Sequence, residues 1–233
     1  MDQDWELTPE KFLNPHELAS LLNRAEELYV LGTTRKRKAL VRDWFIIQLA
    51  VNTGLRRKEM CDLKVADIHV GNGQSHLVVA NGKGGKRRTV HVGRDFKAAL
   101  RRYLQWKFDN GELTPDSYLL RSERSQKYCV AGLWYRWRKY CPKRLHAARH
   151  TFGTYAYQAT KDIRLVQKQL GHSKTSTTAI YADCTPEVIT RGMDDMERLT
   201  RTLRRGRPGF SAAMAPAPAA GTAETTESPE ATV

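Results

Sequence analysis

The chain has 233 residues, 40% of them hydrophobic, and carries a formal net charge of +14 at pH 7. That length suits one domain with a proper core, and the longest apolar stretch, around Trp44 to Val51, is far too short to span a bilayer. So basic a chain calls for a polyanionic partner, of which nucleic acid is the commonest, though a ribosomal or membrane-surface protein would show the same balance.

Residues 1–11 read as a flexible, acidic N-terminus with no apolar run of the signal-peptide kind. Asn14-Pro15-His16-Glu17 marks a helix start: Asn14 caps, Pro15 fits the first helical position and Glu17 closes a capping box. This helix is predicted to run to about Tyr29. The basic run Arg35-Lys36-Arg37-Lys38 follows, and Leu40, Val41, Trp44, Phe45, Leu49 and Ala50 then recur at helical spacing up to a stop at Gly54. A short helical turn fits Arg57 to Cys61. Next come three β-favouring runs, Asp67–Val70, Leu77–Ala80 and Arg88–Val92, separated by glycine-rich turns. They predict a three-stranded antiparallel sheet.

Helices are then predicted over about 94–108, 130–140, 146–159, 162–170, a short one ending near Tyr181, and 186–203. In the last of these, Val188, Ile189, Met193, Met196 and Leu199 form an apolar stripe at helical spacing. Residues 204–233 form a tail rich in Ala, Pro, Thr and Glu, with no aromatic residue after Phe210, and are expected to be disordered. Residues 211–233 hold three acids and no Lys or Arg, so the first 210 residues carry +17. The basic character therefore belongs to the folded part. The pattern describes an α+β fold, mostly helical with a small three-stranded antiparallel sheet. Cys61, Cys129, Cys141 and Cys184 are widely spaced without a CxxC, which fits a reduced, cytoplasmic protein.

Five places could carry chemistry. In Thr53-Gly54-Leu55-Arg56-Arg57-Lys58-Glu59 an arginine follows a helix end with a carboxylate one turn on, a guanidinium fork suited to phosphate. The same residues would also make an ordinary solvated turn. Gly82-Lys83-Gly84-Gly85-Lys86-Arg87-Arg88 is a basic hairpin turn whose glycines let a backbone approach a ligand; it lacks the Ser or Thr of a Walker A loop. His146 and Arg149 share one face of a helix. His146 and His150 lie four apart, but no glutamate, cysteine or nearby carboxylate completes a metal site. His172 follows a helix-ending Gly171, and Tyr181 ends Thr177-Thr178-Ala179-Ile180-Tyr181. Singly, each is as readily a capping, surface or packing residue.

Together these segments resemble the tyrosine recombinase (phage integrase) family. The residues that carry the resemblance are Thr53-Gly54-Leu55-Arg56-x-x-Glu59, His146-x-x-Arg149-His150-Thr151-Phe152 and Leu170-Gly171-His172-Ser173-x-x-Ser176-Thr177-Thr178-x-x-Tyr181. The steps of 23 residues from Arg149 to His172 and 9 from His172 to Tyr181 agree with it. The resemblance implies a catalytic domain over residues 12–203 that acts on double-stranded DNA without metal or cofactor. Tyr181 would attack the phosphate and form a 3′-phosphotyrosyl bond. Arg56 and Arg149 would clamp the non-bridging oxygens, Lys83 would protonate the leaving 5′-oxygen, His146 would assist proton removal from Tyr181, His172 would donate to the phosphate, and Glu59 would orient Arg56. Two further readings share the pattern: a DNA-binding regulator that does not cut, and a type IB topoisomerase-like relaxing enzyme.

The family usually places a helical core-binding domain before the catalytic one, and only about a dozen residues precede the first helix here. The expectation is that this clamp is absent or supplied by a separate chain, with the protein working as a homo-oligomer on DNA at the nucleoid. From charge alone, Arg35, Lys36, Arg37, Lys86, Arg87, Arg136 and Arg138 are the expected DNA-backbone contacts.

Overall fold

The first helix, α1 (Pro15–Thr34), begins at the capping box read from the sequence: the Asn14 side chain accepts from the Glu17 amide at 2.9 Å, and the Glu17 carboxylate accepts from the Asn14 amide at 2.8 Å. The computed structural model describes residues 11–71, 73–82, 85–171 and 186–205, with backbone only at 186–189 and 205. α1 runs more than a turn beyond the expected end at Tyr29. Its buried face, Leu18, Leu21, Leu22, Ala25 and Leu28, continues to Gly32. There the helix passes so close to the next one that a Cβ would lie 2.7 Å from a Val41 methyl.

That next helix, α2 (Lys38–Thr53), is the centre of the core. Trp44, Phe45, Ile46 and Ile47 are all buried to 1% or less, so it is enclosed on every side rather than amphipathic. Its polar atoms are answered from α1: the Trp44 indole and the Gln48 amide both donate to Glu26, at 3.1 and 2.9 Å. Such pairing is what lets an indole and an amide sit inside a core. Phe45 stacks on Tyr103 with ring centroids 3.8 Å apart.

After α3 (Arg57–Asp62) the chain forms the sheet, β1 (Ile68–His69), β2 (His76–Val79) and β3 (Arg88–His91), antiparallel in the order β1-β2-β3. Its register pairs Leu77 with Val90 and Val79 with Arg88. Leu77, Val79 and Val90 are buried, and so is Val92 just beyond β3, so one face packs on the helices. On the other face His69, His76 and His91 stand in one row, neighbouring rings 4.8 and 5.9 Å apart.

The remaining helices are α4 (Arg94–Asp109), α5 (Val130–Arg138), α6 (Leu145–Thr160), α7 (Ile163–Leu170) and α8 (Pro186–Arg205). The α+β architecture, with its small antiparallel sheet, is the one the sequence pattern describes. α8 packs on α6, α1 and α4. Met193 and Met196 are buried in this chain's own core, with Leu199 packed against it, which resolves that part of the apolar stripe as internal. The side chains of Val188 and Ile189, residues 1–10, the short helix expected before Tyr181, and the tail beyond Arg205 lie outside the described residues. The segment before α1 is tied to α6: the Leu13 amide donates to the Thr151 hydroxyl at 2.8 Å, and Lys143 reaches the Phe12 carbonyl and Glu17. Cys61, Cys129 and Cys141 are free thiols.

Candidate active site

The C-terminal ends of α2 and α7 meet at Gly54, against the middle of α6. Gly54 closes α2 in the left-handed region at φ 60°, which favours glycine, and a Cβ there would lie 2.6 Å from Leu170 of α7 and 2.7 Å from Phe152 of α6. The Gly54 carbonyl accepts from Arg149 Nη1 at 2.6 Å, while Arg149 Nη2 donates to the Leu170 carbonyl at 2.7 Å. Arg149 is 3% exposed. Its guanidinium is thus held by two backbone carbonyls, one at each helix end, which engage two of its five N–H donors. Burial, with Arg56 and Arg88 nearby, pushes its pKa down to about 10, so it stays cationic at neutral pH.

Arg56 follows two residues after Gly54 and is extended, just ahead of α3. Its Nη1 donates to Glu59 at 2.9 Å and its Nη2 to the Gly171 carbonyl at 3.2 Å. The Glu59 carboxylate also accepts from the Arg56 amide at 2.8 Å. Glu59 thus holds Arg56 through both its backbone amide and its side chain. The geometry also adds a residue the motif reading left out. Arg88 of β3 grips the same carboxylate with both terminal nitrogens, at 2.6 and 2.8 Å. A signal for this was present in the strand alternation: Arg88 shares its parity with the buried Val90 and Val92, whereas Arg87 does not. Burial would raise the Glu59 pKa; Arg88, the Arg56 amide and the Arg56 side chain outweigh it and bring the pKa down to about 2.

His146 lies one turn before Arg149 on α6, with its ring edge-on to His150 at 4.4 Å. Partial burial lowers its pKa, and the charges of Arg149, Arg57 and Arg56 push the same way. A neutral imidazole at physiological pH is the form that can accept a proton. Among the described residues no group of three or more His, Cys, Asp or Glu is placed to hold a metal. Lys83, His172 and Tyr181 lie outside the described residues. The structure therefore brings together Arg56, Glu59, His146 and Arg149 of the expected set, with Arg88 added.

The expected DNA contacts divide. Arg35, Lys36, Arg37, Lys86, Arg87 and Arg138 are exposed. Arg136 is a correction: its guanidinium grips Asp43 with two 2.5 Å bonds and donates to the Ala39 carbonyl at 3.0 Å. Asp43 is 1% exposed and Tyr140 donates to it as well. Arg136 thus neutralises a buried carboxylate, and charge counted along the sequence could not reveal that partner 93 residues away.

The sequence matches the group described as Phage integrase family over residues 11–187. The chain belongs to this family. It is 33% identical over 213 residues to tyrosine recombinase XerA of Thermococcus kodakarensis, covering 87% of this chain and 71% of that one. It is likewise 33% identical over 171 residues to XerA of Pyrococcus horikoshii, covering 70% of this chain and 58% of the relative. Among solved structures it resembles XerH site-specific recombinase bound to difH substrate in a pre-cleavage complex, with a TM-score of 0.56, 26% identity, and coverage of 70% of this chain and 47% of that one. The chain thus spans between about half and seven-tenths of the length of these relatives.

Proposed function

We propose that this protein is a tyrosine-type site-specific recombinase that cuts and rejoins double-stranded DNA, working as an oligomer on paired sites in the cytoplasm. The observation that carries this reading is the convergence of Arg56 and Arg149 on the C-terminal end of α7, oriented by carbonyls and by Glu59, with His146 on the same helix as Arg149. Two fixed guanidinium groups match the non-bridging oxygens of a phosphodiester, and they stabilise the charge that develops there as the phosphorus is attacked. XerH, a relative of this fold, was solved on its DNA substrate.

In the proposed reaction the Tyr181 hydroxyl attacks the phosphorus, His146 accepts its proton, and the 5′-oxygen leaves with a proton from Lys83. A free tyrosine has a pKa of about 10, so at neutral pH it needs such a base. His172 donates to the phosphate. The 3′-phosphotyrosyl bond conserves the phosphodiester, and attack by a 5′-hydroxyl reverses the step without ATP. The arginine cluster supplies the charge stabilisation that a metal ion provides in other phosphoryl transfers.

The test is a covalent protein–DNA adduct that survives SDS. Purified protein without added metal is mixed with a labelled pool of nicked duplexes, with Tyr181→Phe alongside. An adduct from the unaltered protein only is the expected result. DNA binding that is retained and salt-sensitive, with no adduct across the pool, overturns cutting and leaves a binding protein. Relaxation of supercoiled plasmid without strand exchange would instead identify a relaxing enzyme.

A further inference from the structure

The carbonyls of three consecutive residues at the end of α7 are each held by a different arginine. Gln169 accepts from Arg88 Nε at 3.4 Å, Leu170 from Arg149 at 2.7 Å and Gly171 from Arg56 at 3.2 Å. Helix C-terminal carbonyls lack intrahelical donors and carry the negative end of the helix dipole, so cations belong there. Three clustered cations also repel one another. Glu59, 4% exposed at its side chain, is the carboxylate that Arg56 and Arg88 share.

Arg88 is built tightly into this junction. Its side chain is 12% exposed and lies over Gly171, whose φ is 65°; a Cβ on Gly171 would lie 2.6 Å from Arg88 Cδ. β3 and α7 are joined a second time beside it, since the Gln169 side chain accepts from the His91 amide at 3.1 Å and donates to the His91 carbonyl. β3 and the end of α7 therefore form one unit, and Arg88 links that unit to the carboxylate that aims Arg56.

We propose that Arg88 is a positioning residue of the active site: it fixes the Glu59 carboxylate that orients Arg56 and holds the end of α7 in register with both phosphate-facing arginines. The proposal rests on the recombinase reading for its catalytic consequence but not for its structural one. Without Arg88, Glu59 loses its bidentate partner and is left to Arg56 alone. The Arg56 fork then rotates, and a phosphate held by two arginines is misplaced. Lysine at this position keeps the charge and loses the planar fork, so it restores only part of the geometry.

The experiment compares Arg88→Gln and Arg88→Lys with the unaltered full chain. The arginine Nε–H signals and the Gln169, Leu170 and Gly171 carbonyl signals are read by NMR in the absence of DNA. The rate of adduct formation at saturating nicked duplex, the duplex affinity and the thermal midpoint are measured alongside. In Arg88→Gln the Arg56 and α7 signals are expected to move. The adduct rate is expected to fall about a hundredfold, the effect of a small misplacement of reacting groups, while duplex affinity stays within about threefold because most of that affinity comes from phosphate contacts elsewhere. Arg88→Lys is expected to lie between the two. If Arg88→Gln does not fold, Arg88→Lys decides on the same readouts. Unmoved Arg56 and carbonyl signals, or an adduct rate within threefold of the unaltered protein, overturn the proposal. If the unaltered protein forms no adduct, the recombinase reading fails by itself and the NMR signals still decide what Arg88 positions.

Discussion

Glu59 keeps its charge inside the protein because two guanidinium groups and a backbone amide surround it. Removing the charge while keeping the shape, Glu59→Gln, leaves Arg56 and Arg88 facing each other without their shared carboxylate. Breaking such a pair from one side costs about 3 kcal/mol. The pH dependence follows from the same contacts. The folded pKa, about 2, lies below the ordinary 4.5, so the stabilisation is complete above 4.5 and is lost as pH falls through 2. Chemical denaturation across pH 2–5 should show this slope in the unaltered protein and a flatter one in Glu59→Gln; equal slopes would remove Glu59 from the network. His146 carries the opposite consequence for activity. Its pKa lies below the ordinary 6.5, first through burial and then through three neighbouring arginines. The acid limb of the cleavage rate should therefore fall below pH 6.5, and His146→Asn should abolish that limb while lowering the rate by about a hundredfold or more, the usual scale of a lost general base. Motif spacing located Glu59 and His146 because helical neighbours three residues apart share a face. It could not locate the second clamp on Glu59, since Arg88 arrives from a strand 29 residues on.

At the scale of elements, two joints between helices stand out, the first of them at the site. The first is Gly54, where α2 stops against α6 and α7 and presents its carbonyl to Arg149. Gly54→Ala adds a methyl where two side chains already touch and sets a β-carbon on a left-handed backbone. The expected loss is about 1–3 kcal/mol from overpacking, with the Arg149 Nε–H signal displaced; a variant with an unchanged thermal midpoint and an unmoved Arg149 signal would show that the joint tolerates crowding. The second joint ties α8 to α4. The Glu197 carboxylate accepts from the Asp95 and Phe96 amides at 2.6 and 3.0 Å, so α8 supplies the N-terminal cap that Gly93 cannot. Burial raises the Glu197 pKa to about 7 even though those amides lower it. A folded carboxyl above its ordinary 4.5 binds protons more tightly than the unfolded chain, so its contribution declines as pH rises from 4.5 through 7. Glu197→Gln should lack that decline, and Glu197→Ala should cost about 1–2 kcal/mol as a lost cap; thermal midpoints at pH 5 and pH 8 separate the two. The helices and strands themselves were legible because apolar spacing of 3.6 and 2 residues is local. The long-range cap was not, because nothing in the spacing of Glu197 names a helix about a hundred residues earlier.

For the whole molecule the question is which of its many cations face outward. A net charge of +14 suits a DNA-acting protein, but the fold gives those charges two different roles. Lys86 and Arg87 stand exposed at the β2–β3 turn, while Arg136, identical to them in formal charge, neutralises buried Asp43. The two roles have separable signatures. Each phosphate contact releases counterions, so losing it lowers the slope of log K against log salt by about 0.9. Lys86→Ala combined with Arg87→Ala should therefore weaken duplex binding and reduce that slope by about 1–2, with the thermal midpoint little changed, since exposed side chains contribute little to stability. Arg136→Ala should do the reverse. It leaves buried Asp43 with Tyr140 as its one remaining side-chain donor among the described residues, at a cost of about 3 kcal/mol, and it should leave the salt slope of the protein that remains folded as it was. The measurement is duplex affinity by fluorescence anisotropy from 50 to 200 mM salt, roughly the range over which phosphate contacts lose most of their contribution, beside thermal melts of the same samples. A fall in slope for Arg136→Ala would place that guanidinium on the DNA despite its carboxylate partner. An unchanged slope for the double variant would move the electrostatic footprint away from the hairpin, towards Arg35, Lys36 and Arg37 or Arg138, the other exposed members of the expected set.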